Sequence, residues 1–182
     1  MKLLGISGTI IGAKPSILVR KILYEVSLKY PEVEVEMLDL RDYDLQFCDG
    51  RSLEEYNEDT RKAISTVMDA DFFLFGTPVF NCSIPAPLKN LIDLIPPETF
   101  RNKVMGFAAS GGTYQHYLMI ENQLKPIMSY FRAYLAPSYV YAHSDHYNHN
   151  NEIVDEEIIE RIQNLADELV HLQKSLHAVV VY

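Results

Sequence analysis

The segment 72–93 constrains the fold of this chain more than any other part of its sequence. It begins as an uninterrupted apolar run, breaks at Gly76, Thr77 and Pro78, and resumes after Pro85 with the apolar spacing of a helix. An apolar run without alternation is typical of a strand that is covered on both faces, as in a parallel sheet. In open α/β sheets, ligands bind where loops leave the carboxyl ends of such strands.

Strand-like and helix-like patterns alternate along the rest of the chain. This alternation predicts an α/β fold: a flavodoxin-like, doubly wound sheet of five parallel strands with helices on both faces. In that strand order, the carboxyl ends of the first, third and fourth strands lie next to the ligand. The predicted strands cover 2–6, 33–40, 71–76, 103–109 and 138–142. The predicted helices cover 15–30, 57–69, 85–95, 113–136 and 155–176.

The composition disfavours several classes of partner. A net charge of −9 argues against binding to nucleic acid or to an anionic membrane. No apolar run approaches the ~20 residues of a membrane span, and two cysteines are too few for a disulfide framework. The first strand begins too early for a signal peptide, so we expect a cytoplasmic protein. We also expect a single domain over 1–182, with a loose C-terminal tail at 177–182.

The loop after the first predicted strand has the features of an anion site. Ser7, Thr9 and Ser16 offer hydroxyl groups, and the helix that follows offers backbone N–H groups. This loop contains no acidic residue, so a phosphate monoester suits it. It is not a Walker A loop, because Pro15 follows Lys14, and it lacks the dinucleotide fingerprint. The alternative is a plain turn in which Ser16 is the helix N-cap.

The loop after the third predicted strand combines an apolar wall with polar groups. This mixture suits a flat, amphipathic ring such as a flavin, and it suits a metal poorly. The alternative is a buried strand that runs directly into a helix delimited by prolines, which leaves Asn81, Cys82 and Ser83 unexplained. The predicted ligand-binding residues of this loop are Pro78, Val79, Phe80, Asn81 and Ile84.

The loop after the fourth predicted strand contains paired glycines, which let backbone lie close against a ligand. The alternative is a flexible turn with Thr113 as a helix N-cap. Because this loop and the two above follow strands that end at one edge of the predicted sheet, we expect them to converge. The predicted ligand-binding residues of this loop are Ser110, Gly111, Gly112 and Thr113.

Three other interpretations are less favoured by the residues. A response-regulator receiver needs a phosphoacceptor aspartate after the third strand, where this chain has Gly76, Thr77 and Pro78. The histidines of 143–149 are more simply a solvated loop than a metal site. Cys82 has no histidine or acid nearby in sequence, so we interpret it as a small packing residue and not as a nucleophile.

The quoted motifs resemble those of the NADPH-dependent FMN reductase family. From Gly76 to Asp93 the chain reads GTPVFNCSIPAPLKNLID, which is similar to the family pattern of G-S/T-P followed by S-x-P and L-K-x-x-I/L-D. The stretch 110–127 most resembles the branch that supplies reduced flavin to two-component monooxygenases, such as the alkanesulfonate-type reductases. The family's usual arginine in the first loop is missing, and Lys14 is the nearest cation in sequence. Asn122 occupies the place where that branch often has an aromatic residue.

The resemblance implies an enzyme, an NAD(P)H-dependent flavin oxidoreductase. Ser7, Thr9 and Ser16 would then hold the FMN phosphate, and the other two loops would contact the ring and its ribityl chain. Hydride from NAD(P)H would pass to FMN, and then electrons to a second acceptor or reduced flavin to a partner monooxygenase. The chemistry requires no catalytic side chain. The alternatives are a flavodoxin-like electron carrier, a flavin-binding regulator, or a quinone or azo-compound reductase of the same fold.

The helix predicted at 85–95 is apolar around much of its circumference. One stripe facing the sheet would require fewer apolar residues, so a second face is expected to be uncovered. The resemblance implies a homodimer or homotetramer through this helix. We therefore expect burial between chains for Leu88, Leu91, Ile92, Leu94 and Ile95.

Overall fold

Parallel strands and helices alternate along the chain and form a doubly wound sheet with helices on both faces. The computed structural model describes residues 1–179. It confirms the predicted α/β class and parallel sheet, and it adds a short sixth strand. The strands are β1 (Lys2–Ser7), β2 (Glu34–Asp39), β3 (Phe72–Pro78), β4 (Val104–Gly111), β5 (Tyr134–Leu135) and β6 (Val140–His143). The helices are α1 (Lys14–Lys29), α2 (Glu58–Met68), α3 (Ala86–Leu94), α4 (Lys125–Tyr130) and α5 (Glu156–Val179).

The order of the strands brings three carboxyl ends together. The sheet runs β2-β1-β3-β4, and both β5 and β6 pair with β4 at its other edge. Ser7 lies opposite Asp39 on one side and Gly76 on the other, while Pro78 lies opposite Ser110. Loops that leave β1, β3 and β4 therefore start side by side, as the predicted strand order requires.

Two apolar layers hold the helices to the sheet. β3 is buried along its whole length, so its side chains alternate between the layers. Phe73 and Phe75 belong to the layer under α2 and α3, where Phe73 meets the Phe100 ring edge-on at 5.3 Å between centroids. Phe72 and Leu74 belong to the layer under α1 and α5. Burial on both faces explains the continuous apolar run of this strand.

The predicted helix over 113–136 is wrong. The chain instead makes a 3₁₀ turn at Tyr114–Tyr117, a π-helical turn at Ile120–Leu124, the short helix α4 and then β5. Pro126 accounts for part of this, because it has no N–H to donate to the Asn122 carbonyl, as an α-helix would require. The N–H of Lys125 bonds to the Ile120 carbonyl instead, which closes the wider π-helical turn.

The interface predicted for 85–95 does not have an uncovered apolar face. Of the five residues predicted to lie between chains, Leu94 is partly exposed and the other four are buried within their own chain: Leu88, Leu91, Ile92 and Ile95. The segment 43–57 contributes to this burial, because it contacts α3 and packs Tyr43 and Leu45 against the same apolar layer. Asn90 joins the segment to the helix, since it accepts from the Cys48 N–H at 2.9 Å and donates to the Gln46 carbonyl at 3.0 Å.

The end of the chain is described only in part. α5 includes the backbone of residues 177–179, while residues 180–182, the rest of the predicted loose tail, lie outside the described residues. Within the described part of the chain, no helix has the length and apolarity needed to cross a bilayer.

We predict that Gly76 is required by the packing of α1 against β3. A Cβ atom at this position would lie 2.1 Å from Cγ2 of Val19. Gly76→Ala should therefore reduce the free energy of unfolding by about 1–3 kcal/mol. Val19→Ala removes the opposing methyl groups, so the double variant should lose at least about 1 kcal/mol less than the sum of the single losses. Urea unfolding of the four proteins measures this coupling, and strictly additive losses would contradict the packing argument.

Candidate functional site

A cleft of about 500 Å³ lies at the carboxyl ends of β1, β3 and β4. All three loops that the sequence singled out contribute to its wall. The loop after β6, at the neighbouring edge of the sheet, contributes as well. The residues that line the cleft are Ile11, Gly12, Ala13, Lys14, Pro15, Pro78, Val79, Phe80, Ser110, Gly111, Gly112, Ser144 and Asn151.

The predicted binding residues divide into three groups by their place in the structure. Half of them line the cleft: Pro78, Val79, Phe80, Ser110, Gly111 and Gly112. Three are buried in or behind the first loop: Ser7, Thr9 and Ser16. Three are not part of the cleft lining: Asn81, Ile84 and Thr113.

Hydroxyl groups shape the first loop from within. The Thr9 hydroxyl donates to the Ile11 carbonyl at 2.8 Å and accepts from the Ile11 N–H at 3.2 Å. The Ser16 hydroxyl donates to the Ala13 carbonyl at 2.9 Å. Both hydroxyl protons are therefore used inside the loop, where they hold its backbone in place.

The N-terminus of α1 has no side-chain cap. Its N-cap is Ala13, whose methyl group cannot accept a hydrogen bond from the first N–H groups. No acidic residue lies in the first turn. Lys14 adds a positive charge at the positive end of the helix dipole. The buried hydroxyl of Ser7 has no hydrogen-bond partner among the residues that the structure describes. Free N–H groups, a cation and no acid in the loop fit an anionic group at this end of the cleft.

Arg41 brings a second cation to this loop, which sequence reasoning missed. Its guanidinium forms an ion pair with Asp39 at the end of β2. Burial alone would raise the pKa of the Asp39 carboxyl, but hydrogen bonds from the side chain and backbone of Arg41 outweigh burial and hold this pKa below its ordinary value. The pairing of β1 with β2 explains this position, because it places Ser7 opposite Asp39, two residues before Arg41.

The second loop is a tight turn after β3. Phe80 and Ser83 exchange backbone hydrogen bonds of 3.0 and 2.9 Å, and Asn81 and Cys82 between them have φ of 49° and 61°. Two positive φ values are the requirement of a type I′ turn, in which asparagine is favoured. The turn thus explains the Asn81-Cys82 pair without a ligand contact. Phe80 remains half-exposed beside the cleft.

The π-helical turn fastens the tip of this second loop. The side-chain amide of Gln123 donates to the Cys82 carbonyl at 2.6 Å, and the Ser83 hydroxyl donates to the Gln123 side-chain oxygen at 2.7 Å. Asn122 lies in the same π-helical turn, next to Gln123. The segment after β4 therefore controls the position of the loop after β3.

Cys82 differs from its predicted role as a packing residue. It is exposed, and His116 from the loop after β4 lies with Nε2 3.8 Å from its sulfur. The two side chains meet because the loops that carry them follow β3 and β4, which are neighbours in the sheet. Their separation of 34 residues in sequence gives no indication of this contact. His143 also differs from the predicted solvated loop: it is buried, and its ring stacks on Tyr114 with centroids 4.1 Å apart.

The third loop is tied to β6. The Tyr141 hydroxyl donates to the Thr113 carbonyl at 2.6 Å. Burial raises the pKa of this hydroxyl, while the hydrogen bond to Thr113 acts in the opposite direction. A Cβ atom on Gly111 would lie 2.4 Å from the same hydroxyl, whereas one on Gly112 would meet nothing within 4 Å. Gly111 thus serves close packing and Gly112 faces open space.

The loop after β6 contributes Ser144 and Asn151 to the cleft, and the sequence did not indicate either residue. The predicted strand order could have indicated both residues, because the last strand lies beside β4 and ends at the same edge of the sheet. Within residues 1–179, no group of three or more histidine, cysteine or acidic side chains is arranged to hold a metal ion.

The chain is similar to flavin reductases in sequence and in structure. Residues 1–147 match the family model described as NADPH-dependent FMN reductase. An NAD(P)H-dependent FAD/FMN reductase of Geobacillus thermodenitrificans is 58% identical over 176 residues, which are 97% of this chain and 95% of the relative. An FMN reductase (NADPH) of Pseudomonas aeruginosa is 28% identical over 88% of this chain and 85% of its own length.

A solved structure with a similar fold is the flavoenzyme NAD(P)H:(acceptor) oxidoreductase FerB of Paracoccus denitrificans. It has a TM-score of 0.76 and 17% sequence identity, and the match covers 96% of this chain and 97% of FerB. At that identity the likeness concerns the fold, which agrees with the strand order above. The matches in sequence go further, and they show that this chain belongs to the NADPH-dependent FMN reductase family.

Proposed function

We propose that this protein is an NAD(P)H-dependent FMN reductase, which transfers a hydride from NAD(P)H to FMN. The observation that carries the proposal is the composition of the cleft from end to end. Pro78, Val79 and Phe80 form an apolar wall, and the uncapped N-terminus of α1 lines the same cleft through Lys14 and Pro15. A flavin mononucleotide has the matching polarity, with an apolar ring system at one end and a phosphate at the other.

The residues of the cleft would position the flavin and would not react themselves. FMN supplies the hydride chemistry when bound. The backbone of Ser110, Gly111 and Gly112 would lie along the polar edge of the ring, since two of the three positions have no side chain to keep it away. The first loop would hold the phosphate through its N–H groups and Ser7. The open side of the cleft leaves one ring face accessible to NAD(P)H.

Reduced FMN must pass its electrons to an acceptor. The resemblance of 110–127 to the two-component branch supports delivery of reduced flavin to a partner monooxygenase, and a quinone is the alternative acceptor. The reaction would take place in the cytoplasm, where thiols stay reduced. Both cysteines of the chain are free, which agrees with such a compartment.

The first experiment measures NAD(P)H oxidation by the purified protein at increasing FMN. We expect saturable oxidation of NADH or NADPH that depends on FMN, with weaker stimulation by riboflavin because riboflavin lacks the phosphate. Ultrafiltration of the protein beforehand shows whether FMN stays bound or exchanges. A flavodoxin-like carrier would bind FMN without oxidising either nicotinamide, and that outcome would overturn the reductase proposal.

A substitution at Gly112 tests whether the third loop contacts the ring. A valine here has room in the free protein but projects from a residue that lines the cleft. We expect Gly112→Val to raise the FMN dissociation constant by about tenfold, a loss near 1.4 kcal/mol, with little change in the melting temperature. The matched control is Thr113→Val, one residue further on and outside the cleft lining. If the FMN dissociation constants of both variants equalled that of the wild type, this loop would not be part of the site.

We also propose that the protein assembles as a homodimer or homotetramer, through an apolar rim around the cleft and not through α3. Apart from Leu94, the large apolar side chains of α3 are already buried within their own chain, and the segment 43–57 forms hydrogen bonds with Asn90 of this helix. Exposed apolar side chains instead follow the ends of β1, β3 and β4. The rim consists of Ile10, Ile11, Phe80, Tyr114, Tyr117 and Leu118. Burial of such a set against a second copy would remove apolar area from water.

Light scattering measures the mass in solution against the 20.9 kDa of one chain. We expect a multiple of this mass at micromolar concentration, and we expect Leu118→Glu to reduce it, because a charge in a desolvated interface is unfavourable. The control is Phe47→Glu, which adds the same charge at an exposed phenylalanine of the 43–57 segment. A wild-type protein of 20.9 kDa would show that the rim is not an interface between copies.

A further inference from the structure

Arg41 reaches from the end of β2 into the first loop of the cleft. Its Nη2 lies 2.9 Å from the Ser16 hydroxyl, and its Nη1 lies 3.4 Å from the Gly12 carbonyl. Ser16 lies in the first turn of α1 and Gly12 lines the cleft. The guanidinium therefore spans the part of the loop whose N–H groups are uncapped.

Asp39 fixes the guanidinium in this position. Its two carboxylate oxygens accept from Nε at 3.0 Å and from Nη2 at 2.5 Å, and the backbone N–H of Arg41 donates to the same carboxylate at 3.2 Å. Asp39 is only 3% exposed, so its carboxylate has little freedom to move. A bidentate pair of this kind holds the guanidinium in one orientation before any ligand arrives.

The charges around the loop do not balance without an anion. Lys14, Arg20 and Arg41 contribute three positive charges, Asp39 and Asp42 contribute two negative charges, and residues 7–16 contain no acid, which leaves a net charge of +1. This charge lies at the positive end of the α1 dipole, where a cation is unfavourable. An anionic group in the cleft would relieve both effects.

One of the guanidinium N–H groups of Arg41 also remains without a hydrogen-bond acceptor among the described residues. Nε donates to Asp39, the two N–H groups of Nη2 are directed to Asp39 and Ser16, and one N–H of Nη1 is directed to Gly12. A guanidinium has five N–H groups. One N–H of Nη1 therefore has no partner among the described residues.

We propose that Arg41 is the phosphate-recognising arginine of this site, supplied by the end of β2 in place of an arginine in the first loop. The inference rests on the proposed function, since it takes the ligand to be a flavin nucleotide. Arg41 holds the loop through Ser16 and Gly12 and offers its charge and its free N–H to the phosphate. It thereby selects FMN or FAD, which carry phosphate, over riboflavin, which does not.

The test compares riboflavin with FMN and FAD as ligands, by quenching of flavin fluorescence. For Arg41→Ala we expect the FMN dissociation constant to rise about ten- to a hundredfold, the usual range for a hydrogen bond to a charged group. The riboflavin constant should change less than about twofold, because riboflavin makes no use of the phosphate site. A residue that only braced the loop would weaken both ligands alike.

Two further variants make the test decisive. Arg61→Ala removes an exposed arginine of α2 and should leave both constants unchanged, which controls for net charge. Arg41→Lys keeps a cation beside Asp39 but loses the bidentate geometry. It should still raise the FMN constant at least threefold relative to the riboflavin constant, and it decides the question if the alanine variant does not fold.

The two possible failures are distinguishable. A wild-type preference for FMN over riboflavin that persists in Arg41→Ala and Arg41→Lys would overturn the role of Arg41 and leave the proposed function intact. A wild-type protein that binds FMN and riboflavin equally, or neither, would overturn the phosphate site itself, and the assignment of Arg41 with it.

Discussion

The burial of β3 on both faces is the constraint on which the rest of the structure depends. A strand covered on both sides needs helices above and below it, and parallel neighbours complete its hydrogen bonds. Polar groups are excluded along its length, so they can gather only where the strand ends. The carboxyl ends of β1 and β4 lie beside that point because the pairing is parallel and in register. The cleft is a consequence of this packing.

The local charge at the first loop of the cleft is positive, whereas the net charge of the whole protein is negative. A net charge of −9 repels anionic ligands at long range, but screening limits that effect to about 8 Å at physiological salt. Within that distance, Lys14, Arg41 and the N-terminus of α1 decide the potential at the first loop. Asp39 offsets part of this charge through its ion pair with Arg41, but the loop keeps a net positive charge. The role of Asp39 is to hold the guanidinium in one orientation.

Sequence reasoning predicted the features that depend on local pattern. The strand order, the apolar β3 and the three loops followed from apolar runs, glycines and prolines. It failed where contacts join distant segments: the cover that 43–57 provides for α3, the approach of His116 to Cys82, and the reach of Arg41 to Ser16. The π-helical turn before Pro126 was missed because an apolar stripe does not distinguish it from an α-helix. Register and tertiary contact decide these features.

Each of the three loops after β1, β3 and β4 is fastened to a neighbouring segment by one polar side chain. Arg41 holds the first loop, Gln123 holds the second and Tyr141 holds the third. None of the three hydrogen bonds needs a ligand, so the shape of the cleft is established before binding, which lowers the entropic cost of binding. A reaction whose chemistry belongs to a flavin requires shape and electrostatics from the protein, and no acid, base or nucleophile. Gln123 belongs to the segment after β4, so the second and third loops are linked, whereas Arg41 holds the first loop from the end of β2.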